Sequence, residues 1–310
     1  MDARSGPIVV VGAHCGALFM HVSAVPKEGE TVLGWGYDEP EDGGKATNQA
    51  IAAAYLGAPT ICVTVVGTDE RGSRALASLQ AAGVDTQWVT EVEGPTDVGF
   101  LVLPPSKIPA ITTAFDRARD LDAARVQAAA DAIRSASFVV CQLEAPPEAA
   151  ATALRIAREA GISTVLNPAP AEGVEDELLS LTDLLIPNEH EAASLLSSED
   201  TPPTLAAELA ARHPHLDVVV TAGAAGAYVV ARGREVEHVP APAVEDVVDT
   251  TGAGDAFVGA LVHRLRAGDD LVGAARFAVR VATLSVQHPG TIPAFARFKD
   301  LAEDATFERT

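Results

Sequence analysis

Basic residues are scarce in this chain. Its 310 residues carry 22 Lys+Arg against 43 Asp+Glu, a formal net charge of -21. A nucleic-acid binder needs a basic face to meet phosphates, so that class is excluded. The acidity reads as solubilising surface charge. It has one consequence: an anionic ligand must be held by local donors such as backbone N–H groups, helix N-termini and a few cations, because the global field repels it. Long apolar runs are missing too, and no stretch approaches the roughly 18 uncharged apolar residues of a membrane span. The first apolar run, Ile8-Val9-Val10-Val11, is short enough to be a buried strand rather than a signal-peptide core. Cysteine is rare. Cys15, Cys62 and Cys141 are odd in number and far apart, which gives neither a disulfide framework nor a zinc pattern and suits a reducing, cytoplasmic compartment.

What is present is apolar bulk with a clear rhythm. Hydrophobic residues make up 48% of the chain, enough for one large α/β domain spanning residues 1–310. From about residue 138, short apolar runs alternate with helical patterns: Phe138-Val139-Val140-Cys141, Ser163-Thr164-Val165-Leu166, Leu184-Leu185-Ile186 and Leu216-Asp217-Val218-Val219-Val220. Unbroken apolar strands separated by helices predict a doubly wound, mostly parallel sheet with helices on both faces. Two long helices, about 252–267 and 270–287, close the chain. Segments at about 21–42 and 86–115 interrupt the rhythm with short β-prone runs rich in Gly and Pro. They predict a small separate β-sheet, placed as a lid over the carboxyl ends of the parallel strands, or else a pair of surface hairpins.

Five clusters carry candidate chemistry. In Asp249-Thr250-Thr251-Gly252-Ala253-Gly254-Asp255, the glycines let backbone approach a ligand where Val247-Val248-Asp249 is expected to end a strand and a helix to begin. The amides of Gly252, Ala253 and Gly254 then form an anion site, and Asp255 in the first helical turn can take a proton from a hydroxyl. Its ordinary alternative is a glycine turn with an acid favoured by the helix dipole. Gly43-Gly44-Lys45-Ala46-Thr47-Asn48-Gln49 places Lys45, Asn48 and Gln49 at a helix start, as hydroxyl ligands or as a solvated cap. Asn188 and Glu191 share a helix face, as a near-capping box or as a water-mediated Mg²⁺ site. Thr221, Gly223 and Gly226 follow a strand, as a nucleotide wall or a tight turn. Glu144 ends another strand, as a hydroxyl acceptor or a loop acid.

These motifs, in this order, resemble the ribokinase-like (PfkB) family of carbohydrate kinases over nearly the whole chain. The resemblance implies a doubly wound α/β fold with a β-lid, and transfer of the γ-phosphoryl of ATP to a primary hydroxyl of a sugar or sugar-like alcohol. It implies Asp255 as base and Gly252, Ala253 and Gly254 as anion hole. Gly43, Gly44, Lys45, Asn48 and Glu144 would contact substrate. Asn188 and Glu191 would organise Mg²⁺ and phosphates, and Thr221, Gly223 and Gly226 would line the nucleotide. Asp249 and Thr251 match a monovalent-cation (K⁺) site, completed by carbonyls near Ser285, His288 and Gly290. Pairing into a homodimer through the lid is implied as well.

The substrate end departs from the family pattern. Cys15 and Ala17 stand where an Asn and an Asp are expected, Ala46-Thr47 replaces Gly-Ala, and Lys107 to Asp116 lacks a Gly-Ala-Asn stretch. These changes put the acceptor in question and leave the phosphoryl-transfer residues intact. A non-catalytic regulatory homologue is the competing class, and an intact Asp255 counts against it. A nicotinamide-dependent enzyme fails because Gly12-Ala13-His14-Cys15-Gly16 lacks the glycine fingerprint.

Overall fold

The structure is a computed structural model and describes residues 5–39, 43–106, 110–172, 174–295 and 301. In chain order its strands are β1 (Ile8–Val11), β2 (Gly16–Val22), β3 (Gly34–Asp38), β4 (Thr60–Gly67), β5 (Asp85–Val92), β6 (Val98–Leu103), β7 (Ala110–Ala114), β8 (Phe138–Cys141), β9 (Ser163–Leu166), β10 (Leu184–Leu185), β11 (Asp217–Thr221), β12 (Ala227–Val230) and β13 (Glu237–Val239). The helices are α1 (Lys45–Tyr55), α2 (Glu70–Ala81), α3 (Ala123–Ala128), α4 (Ala130–Arg134), α5 (Pro147–Glu159), α6 (Asp176–Ser180), α7 (Glu189–Leu196), α8 (Pro202–Arg212), α9 (Ala253–Ala267) and α10 (Leu271–Ser285).

Nine strands form the main sheet in the order β13-β12-β11-β10-β9-β8-β1-β4-β5. It is parallel from β5 to β11, and β12 and β13 add antiparallel edges. The run Ile8-Val9-Val10-Val11 shows why the strands read as continuous apolar stretches. Ile8 and Val10 enter one core with α1, α2, α9 and α10, whereas Val9 and Val11 enter the other with α3 to α8. A strand covered on both faces has no polar side to reveal. Helix starts follow local chemistry: Asp69, Asp122 and Asp270 accept backbone N–H groups at the starts of α2, α3 and α10, as N-cap acids do.

The expected second sheet is present, in the order β3-β2-β6-β7, with boundaries that differ from the predicted 21–42 and 86–115. It begins at Gly16, and Asp85–Val92 is not in it: β5 pairs with β4 at the edge of the main sheet. Residues 40–42 and 107–109 of the predicted lid lie outside the described residues. A second correction concerns Val247-Val248-Asp249, which is not a strand. The segment is held by Val248 N–H and Asp249 N–H donating to the Val286 carbonyl at 2.8 and 3.2 Å, so its partner is the end of α10. Asp97 fastens the small sheet to the body. Its buried carboxylate accepts the amides of Asp116, Arg117 and Ala118 at 2.8, 2.8 and 2.7 Å, and its carbonyl accepts Gly16 N–H at 2.8 Å.

Candidate active site

The strand order reverses between β1 and β8, and in doubly wound folds the crevice outside the carboxyl ends at such a point binds ligands. The chain delivers its polar residues to that crevice. Residues 12–16 leave β1, Gln142 and Glu144 leave β8, Asn167 leaves β9, Asn188 follows β10 and Thr221 ends β11. Helices α1 and α9 bring their N-termini to the same place. They pack closely enough that a Cβ on Gly259 would lie 2.7 Å from the Ala52 Cβ.

Asp255 sits in the first turn of α9 and is buried, at 7% exposure. Asn48 Nδ2 donates to its Oδ2 at 2.9 Å and Gln49 Nε2 to its Oδ1 at 3.0 Å. Gln49 also donates to Asn167 Oδ1 at 3.0 Å and accepts from Gln142 Nε2. Two consecutive residues of α1 thus fix the carboxylate, and Gln142 and Asn167 fix one of them. The sequence suggests hydroxyl binding for Gln49, but its amide is spent on holding Asp255. The signal for that role was a glutamine in the first turn of a helix that is otherwise apolar and alanine-rich. Asn48 Oδ1 is buried without a hydrogen-bond partner. A buried acceptor in that state is costly unless a ligand hydroxyl completes it.

Gly252 caps α9 in the left-handed region at φ 75, with no side-chain cap; Ala253 N–H donates to the Thr250 carbonyl at 3.3 Å, and the Gly252 and Gly254 amides beside it are left for a ligand. A Cβ on Gly254 would meet no atom within 4 Å, whereas one on Gly252 would stand 2.4 Å from Thr291 Cγ2. A cavity of about 110 Å³ opens here, lined by Lys45, Asn188, Glu191, Thr221, Gly254 and Asp255 among others. Asn188 and Glu191 form the full capping box: each side chain accepts the other's backbone N–H at 2.8 Å. The pair therefore holds the start of α7 and lines the cavity at once. Thr221 lines the cavity, Gly223 lies exposed in the turn after β11, and Gly226 is buried. Gly226 has φ 91 and its Cβ would meet the Val239 carbonyl at 2.1 Å, so its place is set by turn packing.

The double glycine before α1 has a backbone reason. Gly43 and Gly44 have φ 140 and 72, and a Cβ on Gly43 would lie 1.5 Å from the Cys15 carbonyl oxygen. The pair presses against the turn after β1, where Cys15 sits, just before Ala17 in β2. Buried His14 places Nδ1 3.0 Å from Thr47 Oγ1, and burial lowers its pKa to about 4 despite Asp69. Burial, with help from Glu144 and Asp97, pushes the Cys15 thiol up to about 12, so it stays a neutral apolar wall.

Charge gathers at Lys45. Its amide donates to Glu144 Oε2 at 2.7 Å and its Nζ lies 4.0 Å from Glu144 Oε1. Burial works against the ammonium, but Asp255, Glu144 and Glu191 outweigh it and leave Lys45 above the usual lysine value. Burial also raises Glu191, against the pull of the Asn188 amide and Lys45. Glu144 is pushed up to about 7 by burial, opposed by the Lys45 ammonium and amide and reinforced by Asp255. A carboxyl raised from 4.5 to about 7 on folding adds stability that is full below pH 4.5 and is lost as pH rises through 7. Glu144→Gln should therefore gain stability over wild type at pH 8.5, by up to about 3 kcal/mol, and little at pH 5. Urea unfolding at the two pH values measures this, and an equal difference at both contradicts it.

One further acid, Asp249, gathers backbone groups at the loop before α9. Asp249 Oδ1 accepts Thr251 N–H at 2.9 Å and Oδ2 accepts Gly290 N–H at 3.0 Å, which draws three of the predicted cation ligands together. The Ser285 carbonyl accepts His288 N–H at 3.2 Å in the turn that ends α10. Among the described residues no group of three His, Cys, Asp or Glu side chains could cage a metal. Glu191 is a carboxylate in the cavity lining, and Mg²⁺ beside substrate phosphates keeps several waters and takes few protein carboxylates. A separate depression of about 300 Å³ lies at the opposite strand ends. Its Asp183, Asp217 and Asp269 are each engaged by an arginine.

Fold and site together fit a small-molecule kinase: a helix N-terminus without a side-chain cap, a held carboxylate beside it, and polar side chains across the crevice. The chain belongs to the pfkB family of carbohydrate kinases, whose model matches residues 8–296. Curated relatives include the ribokinase of Schizosaccharomyces pombe (strain 972 / ATCC 24843), 34% identical over 299 residues covering 91% of this chain and 92% of the relative. The ribokinase of Bacillus subtilis (strain 168) is 36% identical over 282 residues, covering 90% and 92%. Among solved structures, Arabidopsis thaliana ribokinase complexed with ribose and ATP superposes with a TM-score of 0.84 at 28% identity, covering 95% of this chain and 97% of that one. No helix among the described residues is long and apolar enough to cross a membrane.

Proposed function

We propose that the protein transfers the γ-phosphoryl of ATP to a primary hydroxyl of a sugar or sugar-like alcohol, with ribose the simplest acceptor to test. The observation that carries this reading is Asp255, held by Asn48 and Gln49 at the open N-terminus of α9. In the reaction the Asp255 carboxylate takes the proton of the acceptor hydroxyl, whose oxygen bonds to the γ-phosphorus as the bond to ADP breaks. The amides of Gly252 and Gly254 face the phosphoryl oxygens, and the helix dipole favours their charge. Lys45, Asn48 and Glu144 hold acceptor hydroxyls, and Gly43 and Gly44 shape the turn that seats them. Thr221, Gly223 and Asn188 border the nucleotide side, with Gly226 setting that turn.

When bound, Mg²⁺ neutralises phosphate charge; Glu191 would hold it through water. The Asp249 carboxylate and the backbone oxygens at Thr251, Ser285, His288 and Gly290 would hold K⁺. A screen of ATP consumption across pentoses, hexoses, polyols and nucleosides, in K⁺ and in Na⁺, tests the assignment. Turnover with at least one acceptor, faster in K⁺, is the expected result. ATP binding without any turnover would favour the regulatory homologue. The outer face of the small sheet carries Met20, Tyr37 and Phe100 at 42%, 68% and 40% exposure, an apolar surface suited to pairing two copies. Light scattering should show a dimer that Tyr37→Lys weakens; a wild-type monomer at micromolar concentration contradicts it. Three buried free cysteines fit a cytoplasmic setting.

A further inference from the structure

A second opening adjoins the acceptor end: a cleft of about 490 Å³ between the small sheet and the loops around Val248 and Pro289. Side chains alternate along a strand, so Ala17, Phe19 and His21 of β2 share one face. The register adds their partners on β6, Gly99, Leu101 and Leu103, because directly paired residues share a face. Regular pairing would turn Trp35 to the other side, since its neighbour Gly36 pairs with His21. The register shift between His21 and Val22 makes Trp35 the extra residue, and a bulge re-aims a side chain in this way. The Trp35 ring lies 6.4 Å from the His21 ring at an interplanar angle of 28° and is 66% exposed. One polar pair interrupts this apolar wall: His21 Nε2 lies 2.7 Å from Asp38 Oδ2.

The site is thus two-sided. Hydroxyl partners (Lys45 Nζ, Asn48 and Glu144) lie on the body side, while the small sheet offers Ala17, Phe19 and Leu101. A free pentose carries hydroxyls all round, and those turned to the small sheet would lose water without gaining a partner. The cleft volume falls in the range of about 300–1,000 Å³ that holds larger, ring-bearing ligands. The chain links it to the first cavity. Asp249 lines it and is bonded to Thr251 N–H, directly before the Gly252 cap of α9.

Resting on the kinase reading above, we propose that this cleft is a ring subsite and that the acceptor is a sugar alcohol bearing a planar aromatic ring, a nucleoside. Its ring lies against Trp35, with the His21–Asp38 pair at the ring's polar edge, while its primary hydroxyl reaches Asp255. Stacking of a base on an aromatic side chain is worth about 5- to 150-fold in binding.

The test uses the full chain with ATP and Mg²⁺ and compares D-ribose with adenosine, cytidine and thymidine, reading phosphorylated product and kcat/KM. At least one nucleoside should exceed ribose by about 10-fold or more. Trp35→Ala should lower kcat/KM for that nucleoside at least about 5-fold more than for ribose, and Trp35→Phe should keep most of the preference. Ribose preferred over every nucleoside, or an equal loss on both acceptors, overturns the ring subsite and leaves the kinase reading standing. No product from any sugar, polyol or nucleoside overturns both. Trp35 is exposed, so its replacement leaves the core untouched, and the wild-type comparison stands without it.

Discussion

Asp255→Asn should lose about 10²–10⁴-fold in kcat, the usual contribution of a positioned general base, while ATP affinity measured by calorimetry stays close to wild type. The geometry makes the substitution harsher than a simple loss of basicity. Both carboxylate oxygens accept side-chain amides, one from Asn48 and one from Gln49. An asparagine has a single oxygen, so its own NH₂ must face one of those donors. Two donors meeting in a buried site leave hydrogen bonds unmade, at about 1–3 kcal/mol, so the variant should also melt earlier. Asp255→Ala removes the base without adding a donor and separates the two effects. Turnover by both variants within about tenfold of wild type would remove Asp255 from the base role.

Gly254→Ala should do the reverse: an unchanged or higher melting temperature with kcat/KM down about 10²-fold. In the structure a Cβ at this position meets nothing within 4 Å, and alanine is favoured over glycine in a helix by up to about 1 kcal/mol. Folding therefore has no objection to the methyl group. It would stand over the N-terminal amides of α9, in the cavity that Gly254 lines, where phosphoryl oxygens belong under the proposed function. A displacement of about 1 Å at a reacting centre can cost about 10²-fold. Wild-type turnover by a well-folded Gly254→Ala protein would mean that the phosphoryl group does not sit there.

These positions also show what a single chain of letters reveals. Strands β8 to β11 were legible because both faces are covered, so they read as short unbroken apolar runs. Asp85–Val92 was not legible as main sheet: as the half-exposed edge strand β5 it mixes polar and apolar residues and looks like part of the small sheet. Val247-Val248-Asp249 deceived in the opposite direction, because its apolar pair looks like a strand although it ties down to the end of α10. At the site, the motif residues were visible as types and spacings. The reasons for them were not, since they depend on contacts far along the chain. Gln49 meets Asp255 across 206 residues, and the Gly43 requirement comes from the Cys15 carbonyl. The bulge that turns Trp35 inward has no sequence signature, because only pairing with β2 defines it.

The fastening at Asp97 has a mechanical meaning. The small sheet joins the body through four chain crossings, and three of them, at Gly16, at Asp97 itself and at residues 116–118, meet on this one residue. The fourth, after β3, is fastened separately, where Glu39 accepts Arg71 Nε at 2.6 Å and Arg74 Nη2 at 3.0 Å; two fastenings define a hinge line, so any swing is a rotation about that line whose arc grows with distance from it. Cys15 and Ala17, next to the hinge line, would keep their distance to Glu144 throughout the stroke. The connection between β2 and β3, at residues 23–33, would sweep a longer arc.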